Sequence, residues 1–152
     1  MPGAAALNSV PKLQLEREFA APVARVFAAW TDPRLMAQWW GPENVSCPVC
    51  EIDLRVGGRY RTCMKRNDGA ENWVSGEYRE IVPDRRLVFT WAWEENGKRG
   101  HEMLVEVDFR RAGPKTRVTL TQSNFATLES CTNHRAGWTS SFVCLDTFIT
   151  GG

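Results

Sequence analysis

Residues 21–42 read APVARVFAAWTDPRLMAQWWGP, and the reading of this stretch decides the fold. It predicts two short helices in series. Pro22 suits a first helical position, where a missing N–H costs nothing. Val23, Val26, Phe27 and Trp30 then recur at i, i+3, i+4 and i+7, one apolar stripe on a 3.6-residue period. Asp32 before Pro33 is a second helix start, an N-cap acceptor followed by proline at N1. Leu35, Met36, Trp39 and Trp40 are expected to face inward, and Gly41-Pro42 stops the helix. Trp30, Trp39 and Trp40 fall within eleven residues. That is more apolar area than a small helix pair hides alone, so the rest of the chain must supply a concave partner.

The flanking sequence alternates with a period of two. In KLQLEREFA (12–20), Leu13, Leu15 and Phe19 oppose Lys12, Gln14, Glu16 and Glu18, the pattern of a half-buried strand. After the helix pair, strands are expected at 45–56 (irregular near Pro48), 59–65, 73–82, 86–93, 101–109 and 116–122. Turn signals separate them: Gly57-Gly58, Asn67-Asp68-Gly69, Pro83-Asp84, Asn96-Gly97 and Gly113-Pro114. From Thr127 the period becomes helical for about twenty residues, hence roughly 30 Å. Leu128, Cys131, Trp138, Phe142, Leu145 and Ile149 share one face, with Arg135 as a polar interruption. Gly137 in this helix costs about 1 kcal/mol relative to alanine, which suggests a close approach to its backbone. The expected architecture is α+β: a curved, seven-stranded antiparallel sheet wrapped around a long C-terminal helix, with two short helices after the first strand. Residues 1–11 are expected to be a flexible lead-in and 12–152 a single domain.

This order of elements resembles the START-like, helix-grip superfamily. Within it the chain is most similar to the small bacterial proteins of the family named for the activator of the heat-shock-protein-90 ATPase. The resemblance rests on residues 21–42, on EIDLRVGGRYR (51–61), VPDRRLVFTW (82–91), TRVTLTQ (116–122) and HRAGW (134–138), in the family's order. It implies a long cavity between sheet and C-terminal helix, occupied by something apolar, or else docking of a partner; it implies no fixed reaction. The final helix departs from the leucine-rich sequence expected there, with Thr139, Ser140, Ser141 and Thr147. These mark either a more polar cavity floor or a solvated outer face.

Composition excludes several functions. A formal charge of +1 in 152 residues makes no electrostatic case for nucleic acid or an anionic membrane. No apolar run approaches the roughly 20 residues of a bilayer span. MPGAAALNSVPK lacks the n-region and h-region of a signal peptide, so a cytoplasmic location is expected. Cys47, Cys50, Cys63, Cys131 and Cys144 are an odd set containing one C-x-x-C. That motif leads into a strand rather than opening a helix, and neither histidine has a ligand-like partner nearby. Reduced, mostly buried thiols are expected, with no metal and no cofactor.

If the sheet cups the helix, Tyr60, Phe89, Trp91, Trp93, Met103, Trp138 and Phe142 form the cavity wall, apolar in the manner of a small-molecule site. The alternative is that these rings simply pack against one another. His101 shares a strand parity with Met103 and Val105, and Glu77 shares one with Trp73 and Ser75. Either, turned inward, would supply acid/base chemistry or a ligand contact. Arg135 reads as a side chain that covers apolar surface with its stem and keeps its head in water. His134 falls in the family's helix motif, which assigns it no chemistry.

The leading expectation is therefore non-catalytic binding of an apolar or aromatic small molecule. An acid/base enzyme (a cyclase, dehydratase or hydrolase) working through His101 or Glu77 is one alternative. A protein-interaction module, as a homodimer or on a chaperone partner, is the other.

Overall fold

A computed structural model describes residues 10–151. The lead-in expected at 1–11 lies mostly outside them. Val10 and Pro11 are already engaged: Val10 packs half-buried against the core, and the Pro11 carbonyl accepts from the Cys131 thiol at 3.3 Å.

The elements in chain order are β1 (Leu13–Phe19), α1 (Val23–Thr31), α2 (Pro33–Met36), β2 (Val45–Ile52), β3 (Arg59–Arg66), β4 (Glu71–Val82), β5 (Arg86–Glu95), β6 (Lys98–Arg99), β7 (Met103–Ala112), β8 (Lys115–Ser123) and α3 (Leu128–Gly151). Seven long strands form one curved antiparallel sheet in the order β1-β8-β7-β5-β4-β3-β2. The two-residue β6, which the sequence pattern does not announce, is the return arm of a hairpin on β5. Asn96 and Gly97 form its two-residue loop at φ +53° and +77°. Positive φ at both central residues is what a tight hairpin turn of matching twist demands.

The opening stretch folds much as its pattern requires. Pro22 sits one position earlier than expected, at the N-cap of α1, where its carbonyl accepts from Arg25 N and Val26 N. Asp32 caps α2, its Oδ1 accepting from Arg34 N at 2.9 Å, and Pro33 occupies N1. Val26, Phe27, Ala29 and Trp30 are the buried face of α1. Trp39 and Trp40 are buried in the turns that follow α2, and Gly41 stops the helical path at φ +105°. The indole N–H of Trp39 donates to Ala29 O, tying the turn after α2 back to α1.

Strand boundaries depart from expectation where the chain twists. β2 ends at Ile52, four residues early, because Asp53–Gly58 forms a loop whose Gly57 N–H donates to Tyr78 O. The irregularity expected at Pro48 is a β-bulge: pairing runs Ser46↔Lys65, then Val49↔Cys63, so one extra residue sits on β2. β7 begins at Met103, leaving His101 in the preceding bend. β5 is buried on both faces rather than alternating. Long charged side chains cover its outer face: Arg86 pairs with Glu80, Glu106 and Asp108, and Arg99 lies over Ser75.

Helix α3 crosses the concave face of the sheet. Cys131, Trp138, Ser141, Phe142, Leu145 and Ile149 are buried. Leu128, expected on that face, is 62% exposed in the first turn. Thr139 and Thr147 bond back to carbonyls of their own helix on its outer face, whereas Ser141 is buried. The polar residues of α3 thus divide between a solvated face and the interior. Among the described residues, no helix is long and apolar enough to cross a membrane.

Candidate functional site

A cleft of about 820 Å³ opens between the first half of α3, the loop after α2, the β3–β4 hairpin and the end of β5. Its floor is Trp40, Met64, Trp91, Trp93 and Trp138. Its rim carries Glu43, Asp68 and Glu129 against the single cation Arg66, with amides from Asn44, Asn67, Asn72 and Asn133. An aromatic floor under a polar rim is the pattern of a small-molecule site, apolar contact for affinity and a few polar groups for orientation.

The floor tryptophans are held in place from behind or from the side. Trp40 Nε1 donates to Thr62 Oγ1 at 2.9 Å. Trp138 Nε1 donates to Gln122 Oε1 at 2.8 Å, and the Gln122 amide in turn donates to Met103 Sδ. Trp91 stands between Trp40, Trp93 and Trp138 at centroid distances of 5.8, 5.5 and 5.2 Å, and its buried N–H has no hydrogen-bond partner among the described residues. Such interlocking holds ring positions fixed, since buried aromatic pairs have few alternative packings.

His134 is the cleft's imidazole, and both its nitrogens are committed. Trp93 Nε1 is a donor only, so His134 Nε2 accepts from it at 2.9 Å. The proton therefore sits on Nδ1, which donates to Ser130 O at 2.7 Å. Burial holds the pKa of His134 below its ordinary value, with the Ser130 carbonyl opposing. The ring is neutral near pH 7 and positions Trp93. With neither nitrogen free it does not serve as a base.

The helix contributes a second, smaller stripe. Ser130, His134, Gly137 and Ser141 recur at i, i+4, i+7 and i+11, and all four line the cleft. Among the described residues, a Cβ built on Gly137 would meet nothing within 4 Å. This overturns the expectation that a close backbone approach explains the glycine. The space beside it belongs to the cleft.

Of the nine residues expected at the site, Trp91, Trp93 and Trp138 line this cleft, and the other six do not. Tyr60 is deep in the core, its Oη donating to Thr90 O and its ring packed on Tyr78 and Phe89; burial keeps its hydroxyl protonated. Phe89, Met103 and Phe142 are likewise enclosed by core neighbours. Glu77 shares the parity of Trp73 and Ser75, which pair with Glu94 and Ala92. That parity faces away from Trp91 and Trp93, so Glu77 lies on the convex side in an ion pair with Arg79. His101 is exposed, its Nε2 at 2.6 Å from Asn124 O. Arg135 is exposed, one N–H reaching Gln14 O at 3.4 Å. Trp40, expected only to face inward from the helix pair, is also floor. Met64, His134 and Gly137 are lining residues that the sequence pattern does not single out, whereas Ser141, one of the polar residues of α3 that mark either a cavity floor or a solvated face, proves to be lining. Among the described residues, no group of three or more His, Cys, Asp or Glu side chains is placed to hold a metal ion.

Comparison with known proteins agrees with this geometry at the level of fold and family. Residues 20–149 match the profile of the family described as Activator of Hsp90 ATPase homolog 1-like protein. A crystal structure from Silicibacter pomeroyi bearing that family designation is 32% identical with a TM-score of 0.81, over 90% of this chain and 96% of the other. A Chromobacterium violaceum protein is 27% identical with a TM-score of 0.83, over 91% and 96% of the two chains. One from Nitrosomonas europaea is 27% identical with a TM-score of 0.80, over 92% and 94%. No curated protein matches the sequence.

Proposed function

Because the chain belongs to the Activator of Hsp90 ATPase homolog 1-like family, we propose that it binds a small, largely apolar or aromatic molecule in the cleft beside α3. The ligand's apolar body lies on Trp40, Trp91, Trp93 and Trp138, and any polar group it carries is left at the asparagine-rich rim.

The observation that carries this reading is Gly137. A glycine in the interior of a helix sacrifices about 1 kcal/mol against alanine, and no neighbour demands it here. What it preserves is the width of an aromatic-floored cleft, together with the small side chain of Ser141 one turn on. The acid/base alternative has no such support, since neither Glu77 nor His101 lines the cleft and His134 has no free nitrogen. Docking on a chaperone or a second copy draws on little apolar surface. Among the described residues the exposed large apolar side chains are Leu54 and Val56 on the β2–β3 loop and Leu128 and Val143 on α3.

The test is a native mass-spectrometric and thermal-shift survey with polyaromatic, long-chain and peptide probes. Saturable binding of one aromatic or aliphatic molecule per chain, with a raised Tm, is expected. No binding by any apolar probe, alongside retention of an apolar peptide, would reject the reading in favour of docking.

A further inference from the structure

The β-bulge on β2 has a chemical consequence remote from any packing role. In a regular strand, Cys47 and Cys50 would point to opposite faces, since side chains alternate. The extra residue between Ser46 and Val49 resets that alternation. It leaves Cys47 and Pro48 together opposite Met64, while Cys50 pairs with Thr62. Met64 and Thr62 both face the concave side of β3, so the bulge turns both thiols to one side of the edge strand.

Access is provided as well. A depression of about 400 Å³ opens onto Cys47 between β2, the end of α2 and Cys144 of α3. All five cysteines are free thiols, and Cys47, Cys50 and Cys144 are half-buried rather than enclosed. In the thiol form, Cys47 donates to Val49 O at 3.2 Å.

We propose that Cys47 and Cys50 are a reversible dithiol–disulfide site, with Cys47 as the attacking thiolate and Cys50 as the resolving thiol, oxidised by hydroperoxides. The electronic arrangement agrees with that division of roles. Hydrogen bonding from the Cys50 thiol to a Cys47 thiolate holds Cys47 below the usual thiol range against the opposing effect of burial. The same bond and burial keep Cys50 protonated. Cys144, in the same depression, is pushed up by burial and has no such donor.

The chemistry balances in two steps. The Cys47 thiolate attacks one peroxide oxygen of ROOH and the O–O bond breaks; sulfur is oxidised to the sulfenic acid and the peroxide is reduced, leaving as ROH after taking up a proton. The Cys50 sulfur then attacks the Cys47 sulfur, the S–O bond breaks, and hydroxide leaves with the Cys50 proton as water. The net change is loss of two hydrogens from the protein and reduction of ROOH to ROH and water. A thiol reductant returns the pair to the starting state. Trp40 and Val45 line both this depression and the aromatic cleft, so they lie between the dithiol and the proposed ligand.

The test uses the full chain treated with hydrogen peroxide, followed by alkylation of the remaining thiols and peptide mass mapping. The expected product is one Cys47–Cys50 disulfide per chain with Cys63, Cys131 and Cys144 still alkylatable. Cys50→Ser should stall at a Cys47 sulfenic acid trapped by dimedone, and Cys47→Ser should form no disulfide. Before oxidation, Cys47 should react with iodoacetamide at neutral pH at least about tenfold faster than Cys144, the difference set by thiolate fraction. Equal rates at the two cysteines, first oxidation at Cys144, a Cys47–Cys144 bridge, or a wild-type chain that goes to sulfinic acid without bridging would each overturn the proposal. Circular dichroism of each serine variant verifies that it remains folded, and the wild-type mapping decides the matter independently of them.

Discussion

Trp30 and Trp93 both pack against helix α3, and their surroundings differ. Trp30 is enclosed by the rings of Trp39, Trp40, Phe109, Trp138 and Phe142, with centroids between 4.8 and 6.2 Å. Trp93 has Trp91 at 5.5 Å and His134 at 6.0 Å, and the rest of it borders the cleft. Aromatic content alone does not distinguish a packed core from a binding floor. The distinction lies on α3: Trp138, Phe142, Leu145 and Ile149 present bulk along one stripe, while Ser130, His134, Gly137 and Ser141 present small or polar groups along the next.

Removing the enclosed ring should have the largest effect. Trp30→Ala empties a site surrounded by rigid neighbours and is expected to cost about 3–5 kcal/mol, read by urea denaturation. Trp93→Ala in the same assay should cost less than half as much, because Trp93 is only half-buried. Equal losses would mean that the cleft floor is as tightly packed as the core, and the contrast would fail.

A gain is expected at the glycine. Gly137→Ala should stabilise the chain by about 1 kcal/mol in thermal or urea unfolding, since helix propensity improves and the new methyl meets nothing. A loss at this position would restore a packing role for the glycine.

The smallest effect concerns His134. Its folded-state pKa lies below the unfolded value of 6.5, so the unfolded chain binds the extra proton first. Its contribution to stability is therefore present above about pH 6.5 and lost as pH falls through the folded value. Wild type should lose more Tm between pH 7.5 and 5 than His134→Gln does, and an imidazole titration by NMR should place the His134 midpoint below the ordinary histidine value of 6.5. A raised midpoint would contradict the neutral, doubly hydrogen-bonded ring.

Much of this architecture is legible in residue order, because periodicity and turn chemistry are local. The α1–α2 pair, the antiparallel strands and the terminal helix follow from patterns confined to a few residues each. The site was less legible for three physical reasons. Strand parity identifies a face only relative to a neighbour: Glu77 could be turned outward only once Ser75 was seen to pair with Ala92. A strand's first residue depends on where the twist permits pairing, so His101 fell outside β7. And an aromatic wall says nothing about whether something fills it; Tyr60 and Phe89 fill each other's space, whereas Trp91 and Trp93 border a void. The local signal for openness was the helical glycine, read there as close packing because cost was visible in the sequence and surroundings were not.

The central claim is that Gly137 keeps an aromatic-floored cleft open for a ligand. The most direct test is titration of wild type, Gly137→Ala and Gly137→Leu with the neutral fluorophore N-phenylnaphthylamine, each variant's Tm being measured in parallel. Saturable binding by wild type, lost by at least about tenfold in Gly137→Leu with no fall in Tm, is the expected result, since leucine also improves helix propensity while projecting into the cleft. Undiminished binding by a folded Gly137→Leu would place the apolar site elsewhere and contradict the account.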